Sequence, residues 1–170
     1  MKTHFAYKPK IQPLPRTLIL ASKAYEQDFY KMLTTKDPRV VGIMYAFPNE
    51  IDKRNFYHVG LLYIKEQRQG FGTEFIDFAK NRSKQLGCEG RVFLQAESEV
   101  MGAQRPPHIF YRKQGFTTND KKYLKVIDEF IKENKEMENK DSKSIYMYYD
   151  PNNYTFGQKL LNWFFRFFDI

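Results

Sequence analysis

The order of segments in this sequence predicts an α/β (α+β) domain with a mixed, mostly antiparallel central sheet flanked by helices. Three observations predict it. Two runs rich in strand formers, RVVGIMYAF (39–47) and NFYHVGLLYI (55–64), flank the polar turn NEIDKR and read as an antiparallel hairpin. A helical stripe follows, with Phe71, Phe75, Phe78, Ala79 and Leu86 on one face. Strand and helix signals then alternate, so hairpins mix with crossovers in one sheet.

The elements follow in order. Residues 1–16 carry prolines at 9, 13 and 15 and read as an extended arm. TLILASKAYEQDFYKML (17–33) opens as a short apolar run and then reads as a helix, with Ala24, Phe29 and Leu33 inward; TTKDP breaks it. The first strand of the hairpin is expected to end at Pro48. Gly87 ends the helix that starts near Phe71, with Lys80 and Lys84 near the negative end of its dipole. RVFLQAE (91–97) is a strand, SEVMGAQRPP a loop, and HIFYRKQGF (108–116) a short helix stopped by Gly115, with a brief strand at 116–119. Residues 120–143 are highly charged but space Leu124, Ile127, Phe130 and Ile131 as on a solvent-facing helix. SIYMYYD (144–150) is a late strand. Residues 1–150 thus read as one domain, and 151–170 as an aromatic-rich tail.

Composition bounds the function. A chain of 170 residues with 42% apolar content can bury a proper core. Its formal charge of +8 favours an anionic partner: a phosphorylated cofactor, an acidic substrate or a nucleic acid. No apolar run approaches the roughly 18 residues of a spanning helix, and the N-terminus lacks a secretory core, so no membrane partner is expected. The one cysteine, Cys88, excludes an internal disulfide and fits a cytoplasmic location. It follows a helix end, the wrong end to stabilise a thiolate. No Cys/His spacing suggests a metal site. In the tail, Leu160, Leu161, Trp163, Phe164, Phe165, Phe167 and Phe168 leave three readings open: packing on the same domain, a homodimer contact, or contact with a membrane surface or another protein.

The stretch KEQRQGFGTEF (65–75) sets Gly70 and Gly72 where a strand hands over to a helix. The first amides of a helix lack internal partners and carry positive potential, so this is a ready site for an anion. Missing side chains at Gly70 and Gly72 let a phosphate approach, and Arg68 adds a cation. The stretch has neither the GK[ST] ending of a triphosphate loop nor the three-glycine dinucleotide pattern. A tight turn and close packing would also account for both glycines.

QRQGFG (67–72) satisfies [QR]-x-x-G-x-[GA], and FYRKQGF (110–116) follows some forty residues later. This pairing resembles the GNAT superfamily of acyl-CoA-dependent N-acetyltransferases over residues 39–119. The resemblance implies acetyl-CoA (coenzyme A) as cofactor. Its pantetheine arm is expected to lie along the strand 55–64 at Gly60 and Leu62. Its pyrophosphate is expected on Gln67, Arg68, Gln69, Gly70, Phe71, Gly72 and Thr73. Tyr111 matches the tyrosine that protonates the departing thiolate. The chain departs from the family in having Gln67-Arg68 for Arg-Gly and Ile64 for a proline. The family's asparagine after the next strand has no clear counterpart, and Ser98 and Gln104 stand in that loop.

Acetyl transfer to an amine needs the neutral amine. A lysine-like amine costs roughly 4.6 kcal/mol to deprotonate at pH 7, an α-amine only about 1–1.4 kcal/mol. The first calls for a base or a desolvating site. Glu97 is placed for it at a strand end, with Glu99 and His58 as further candidates. The expected activity is direct acetyl transfer to a primary amine of a small molecule, peptide or protein, with an RNA-linked amine open given the charge. A non-catalytic acyl-CoA-binding or regulatory module on the same scaffold, and a basic nucleic-acid-binding protein, are the competing readings.

Overall fold

The computed structural model describes residues 17–24, 27–37, 39–97 and 105–152. The arm 1–16, the tail 153–170 and Ser98, Glu99 and Gln104 lie outside them. Among the described residues one six-stranded sheet runs in chain order: β1 (Thr17–Ala24), β2 (Gln27–Thr34), β3 (Val40–Ile51), β4 (Arg54–Ile64), β5 (Val92–Ala96) and β6 (Ile145–Tyr149). Neighbours are antiparallel except β4 and β5, which are parallel and joined through α1 (Phe71–Gln85). Helices α2 (His108–Lys113) and α3 (Lys121–Lys132) connect β5 to β6.

The core lies between α1 and one face of the sheet. Tyr30, Met44, Tyr57, Val59, Leu94 and Met147 cluster there with Phe75, Ile76 and Ala79. A Cβ on Gly42 would stand 2.9 Å from the Phe75 ring, so a bare Cα lets α1 settle onto β3. The other face carries a ladder across four strands. Phe47, His58, Phe93 and Tyr146 follow one another at centroid separations of 4.9, 5.3 and 5.2 Å.

Residues 17–34 correct the sequence reading. They form the β1–β2 hairpin, not a strand and a helix. Along β2 burial alternates: Asp28, Tyr30, Met32 and Thr34 are buried, while Phe29 and Leu33 are half-buried on the opposite face. The segment has apolar residues on both faces, so its period is ambiguous by itself. The open edge of β3 resolves it, taking β2 as a partner from Asp28↔Ala46 to Leu33↔Val40. Strand β3 also continues through Pro48 to Ile51. Beyond Ala46 it pairs with β4 alone, and such edge positions tolerate proline. Asp52 (φ 50°) and Lys53 (φ 59°) turn the chain tightly into β4.

The expected helix 120–143 stops at Lys132. Asn134 adopts φ 51°, and the N–H groups of Asn134 and Lys135 donate to the carbonyls of Ile131 and Phe130 at 3.1 and 2.9 Å. This double bond pattern closes a helix C-terminus. The chain then folds back and buries Met137 against Tyr123, a contact an unbroken helix could not make.

A buried polar knot ties β2, β4 and α1. The Tyr30 hydroxyl donates to Asp28 Oδ2 at 2.7 Å, the Tyr57 hydroxyl lies 3.0 Å from that of Tyr30, and Arg82 Nη2 stands 3.6 Å from the same carboxylate. Asp28 is the shared acceptor. Asp28→Ala should therefore destabilise the fold by about 1–3 kcal/mol, since two buried hydroxyls lose their acceptor. Urea unfolding measures this, and a midpoint equal to wild type would deny the knot a structural role.

Candidate functional site

Strands β4 and β5 pair only through Tyr57↔Val92, His58↔Phe93 and Val59↔Leu94. Beyond these, β4 stays with β3 as far as Ile64, and β5 stays with β6. The two strands part at a β-bulge. Tyr45 faces Leu61 and Ala46 faces Val59, which leaves Gly60 as the extra residue. A Cβ on Gly60 would sit 3.0 Å from the Tyr45 ring, so glycine lets the bend pack tightly. Residues 60–64, including Leu62, have no strand partner on the β5 side among the described residues. Their main chain can accept another extended chain along that edge.

The edge leads into Gln67, Arg68, Gln69 and Gly70, all exposed. Arg68 (φ 62°) and Gly70 (φ 84°) are both left-handed, which folds the loop tightly onto the start of α1. The first intrahelical bond of α1 runs from Glu74 N–H to the Gly70 carbonyl at 3.1 Å, and no side chain caps the helix. By contrast, Asp120 caps α3 through the Tyr123 amide at 3.0 Å. The amides of Phe71, Gly72 and Thr73 precede that first bond and are donors toward an anion. Gly72 has a packing reason as well: a Cβ there would lie 3.0 Å from Cζ of Phe110 on α2.

Helix α2 ends as α1 does. Gly115 (φ 91°) donates its N–H to Arg112 C=O, and Phe116 N–H donates to Tyr111 C=O, both at 3.0 Å. The Tyr111 and Phe116 rings meet with centroids 5.7 Å apart. Tyr-x-x-x-Gly-Phe is thus a helix stop with its hydrophobic clasp, and α1 closes likewise at Gly87 and Cys88. Gln114 Nε2 donates to Thr73 Oγ1 at 3.1 Å, and Lys80 Nζ to the Gln114 carbonyl at 2.8 Å. The two motifs, distant in sequence, are in direct contact. Arg112 holds α2 to α3 through both oxygens of Asp128, at 2.7 and 3.1 Å.

Tyr111 is buried within the core, and burial pushes its phenol above the ordinary tyrosine range. The hydroxyl therefore keeps its proton at neutral pH and is available as a donor. Among the described residues its hydroxyl has no hydrogen-bond partner. Glu97 stands just past the end of β5, where Oε2 accepts from Ser144 Oγ at 2.7 Å. That hydrogen bond goes to Ser144, not to Tyr111. His58 lies in the aromatic ladder, on the face away from Tyr57, with Nδ1 buried and unpartnered. Cys88 is buried, and burial raises its thiol.

Sequence reasoning missed His108, one turn ahead of Tyr111 on α2. It is fully buried, its Nε2 lies 2.7 Å from the Lys143 carbonyl, and Nδ1 has no partner among the described residues. Nε2 carries the proton in that bond, which leaves Nδ1 with a bare lone pair. Burial lowers its pKa, partly opposed by the Lys143 carbonyl and the Glu97 charge. Only its spacing from Tyr111 signalled it in the sequence. His58 is lowered by burial too. The unfolded chain thus binds protons that the folded chain refuses, so stability present above the unfolded value of 6.5 is lost as pH falls. Urea midpoints should drop between about pH 7.5 and pH 5, less steeply in His108→Asn. A slope unchanged in the variant would mean that His108 charges freely in the fold.

Solved structures similar to this chain include the following three. A glucosamine N-acetyltransferase region of a fungal multi-domain GH3 β-N-acetylglucosaminidase is 17% identical, with TM-score 0.46, over 58% of this chain; the chain spans 13% of that protein. An aminoglycoside 6′-acetyltransferase type Ii is 16% identical, with TM-score 0.42, over 74% of this chain and 69% of that one. The aminoglycoside 6′-N-acetyltransferase from Enterococcus faecium is 15% identical, with TM-score 0.44, over 74% and 73%. No curated protein matches the sequence. The acetyltransferase (GNAT) family matches residues 5–116, a span that includes the parted strands, the glycine turn and the clasp at Gly115. The chain therefore belongs to the GNAT acetyltransferase family.

Proposed function

We propose that this chain is an acetyl-CoA-dependent N-acetyltransferase that passes the acetyl group to a primary amine by direct attack. The observation that carries the proposal is the free edge of β4 leading straight into the uncapped amides of α1. An extended amide-bearing arm matches the edge at Gly60 and Leu62, and a diphosphate matches the donors from Gln67 to Thr73. The donor set there is the main-chain N–H groups from Arg68 to Thr73, as a diphosphate requires. Bound there, acetyl-CoA supplies an activated thioester.

The chain's own residues supply the rest. Tyr111 keeps its proton through the physiological range and gives it to the departing sulfur. Glu97 accepts the proton that the attacking amine releases, directly or through water. The net charge of +8 raises the local concentration of an anionic cofactor and leaves the acceptor class open among small amines, peptides and RNA-linked amines. A binding module without catalysis would hold coenzyme A yet release no thiol from acetyl-CoA with an amine panel.

Gly70→Glu should abolish coenzyme A binding by calorimetry, because it sets bulk and negative charge in the phosphate position; undiminished affinity would remove the loop from the cofactor site. Tyr111→Phe should lower thiol release about 10²-fold or more, with coenzyme A affinity nearly unchanged. Turnover equal to wild type would strip Tyr111 of the acid role.

A further inference from the structure

Two arginines from separate parts of the chain converge on one carboxylate beside the glycine turn. Arg68 Nη2, in the loop before α1, donates to Glu136 Oε1 at 2.5 Å. Arg105 Nη1, three residues ahead of α2, donates to the same oxygen. Glu136 itself lies in the segment that folds back after α3. The three side chains come from otherwise independent connections and are all exposed, at 70%, 43% and 58% for Arg68, Arg105 and Glu136.

The charges do not balance. Among the described residues one carboxylate faces two guanidinium groups, so these three side chains carry a net positive charge at the loop before α1. Exposed ion pairs are weak, and exchanging one partner costs little. A phosphate monoester carries up to two negative charges and three acceptor oxygens, and it matches two guanidinium forks better than one carboxylate oxygen does. Coenzyme A bears such a monoester on its ribose, separate from its diphosphate.

We infer that Arg105, together with Arg68, binds the ribose phosphomonoester of coenzyme A, and that Glu136 is the internal anion it displaces. The inference rests on the cofactor reading above and goes beyond it, assigning a second phosphate subsite to the side chains of Arg68 and Arg105, apart from the main-chain donors of the glycine turn. In the free protein Glu136 holds both arginines near the binding position. On binding, the monoester takes over both guanidinium groups and the carboxylate moves to solvent. No covalent bond changes.

Calorimetric titration of the full chain with coenzyme A and with 3′-dephospho-coenzyme A tests this. Wild type should prefer coenzyme A. Arg105→Gln should weaken coenzyme A by about three- to tenfold and leave the dephospho compound within about twofold. Glu136→Gln should shift coenzyme A the other way, toward tighter binding, with the gain lost at about 0.5 M salt. Equal weakening of both compounds in Arg105→Gln, or of neither, overturns the subsite while the main-chain cradle stands. So does a Glu136→Gln chain that binds coenzyme A more weakly. A wild-type chain that binds neither compound removes the cofactor reading, and the subsite with it.

Discussion

The main chain of β4 loses its neighbour on one side after Val59, and the rest of the site is arranged around that loss. Parallel pairing with β5 lasts three residues, and the bulge at Gly60 turns β4 away. An unpaired strand edge within a sheet is a liability unless something covers it. Here it runs directly into a loop whose left-handed residues, Arg68 and Gly70, deliver the chain to the start of α1. The bulge opens the edge, and the loop that follows leads it to the uncapped amides of α1. The proposed cofactor, extended and with a diphosphate at one end, matches both features in succession.

Helix α2 gives this arrangement its rigidity. Its contact with α1 is specific at three points: the Phe110 ring against the bare Cα of Gly72, Gln114 on Thr73, and Lys80 on the Gln114 carbonyl. Gly115 and Phe116 end α2 so that the clasp also fixes the Tyr111 backbone. A motif that reads as a catalytic tyrosine with its flanking residues is therefore also a folding device. The two roles are compatible, because a proton donor must be held in place by packing before it can serve as one.

Buried polar groups sit at both ends of the core and differ in completeness. At one end Asp28 satisfies the hydroxyls of Tyr30 and Tyr57, with Arg82 alongside. Near the start of α2, His108 is satisfied at Nε2 alone, and its other nitrogen stays bare within the packed interior. The first arrangement locks β2 and β4 to α1. The second ties α2 to the segment before β6, and burial there disfavours the charged imidazole. Glu97 lies close enough to His108 for its charge to be felt there, and Ser144 bonds that carboxylate.

Features set by local chemistry were legible in the residues alone. The start of α1 after Gly70, its stop at Gly87, the stop of α2 at Gly115 and the hairpin of β3 and β4 all rest on a glycine's backbone freedom or on a strong short-range period. Their residues therefore announced them. The pairing of QRQGFG with FYRKQGF was legible for the same reason, since each motif is a local backbone shape. The rest was settled by long-range packing. Residues 17–34 have apolar side chains on both faces, and the open edge of β3 made them strands. Residues 133–143 have helical composition, and burial of Met137 against Tyr123 turned them back. Gly60 as a bulge, Gly72 as a seat for Phe110, and Arg68, Arg105 and Glu136 as one cluster all depend on groups far apart in the chain. No local pattern encodes such encounters, because packing the core is what brings them about.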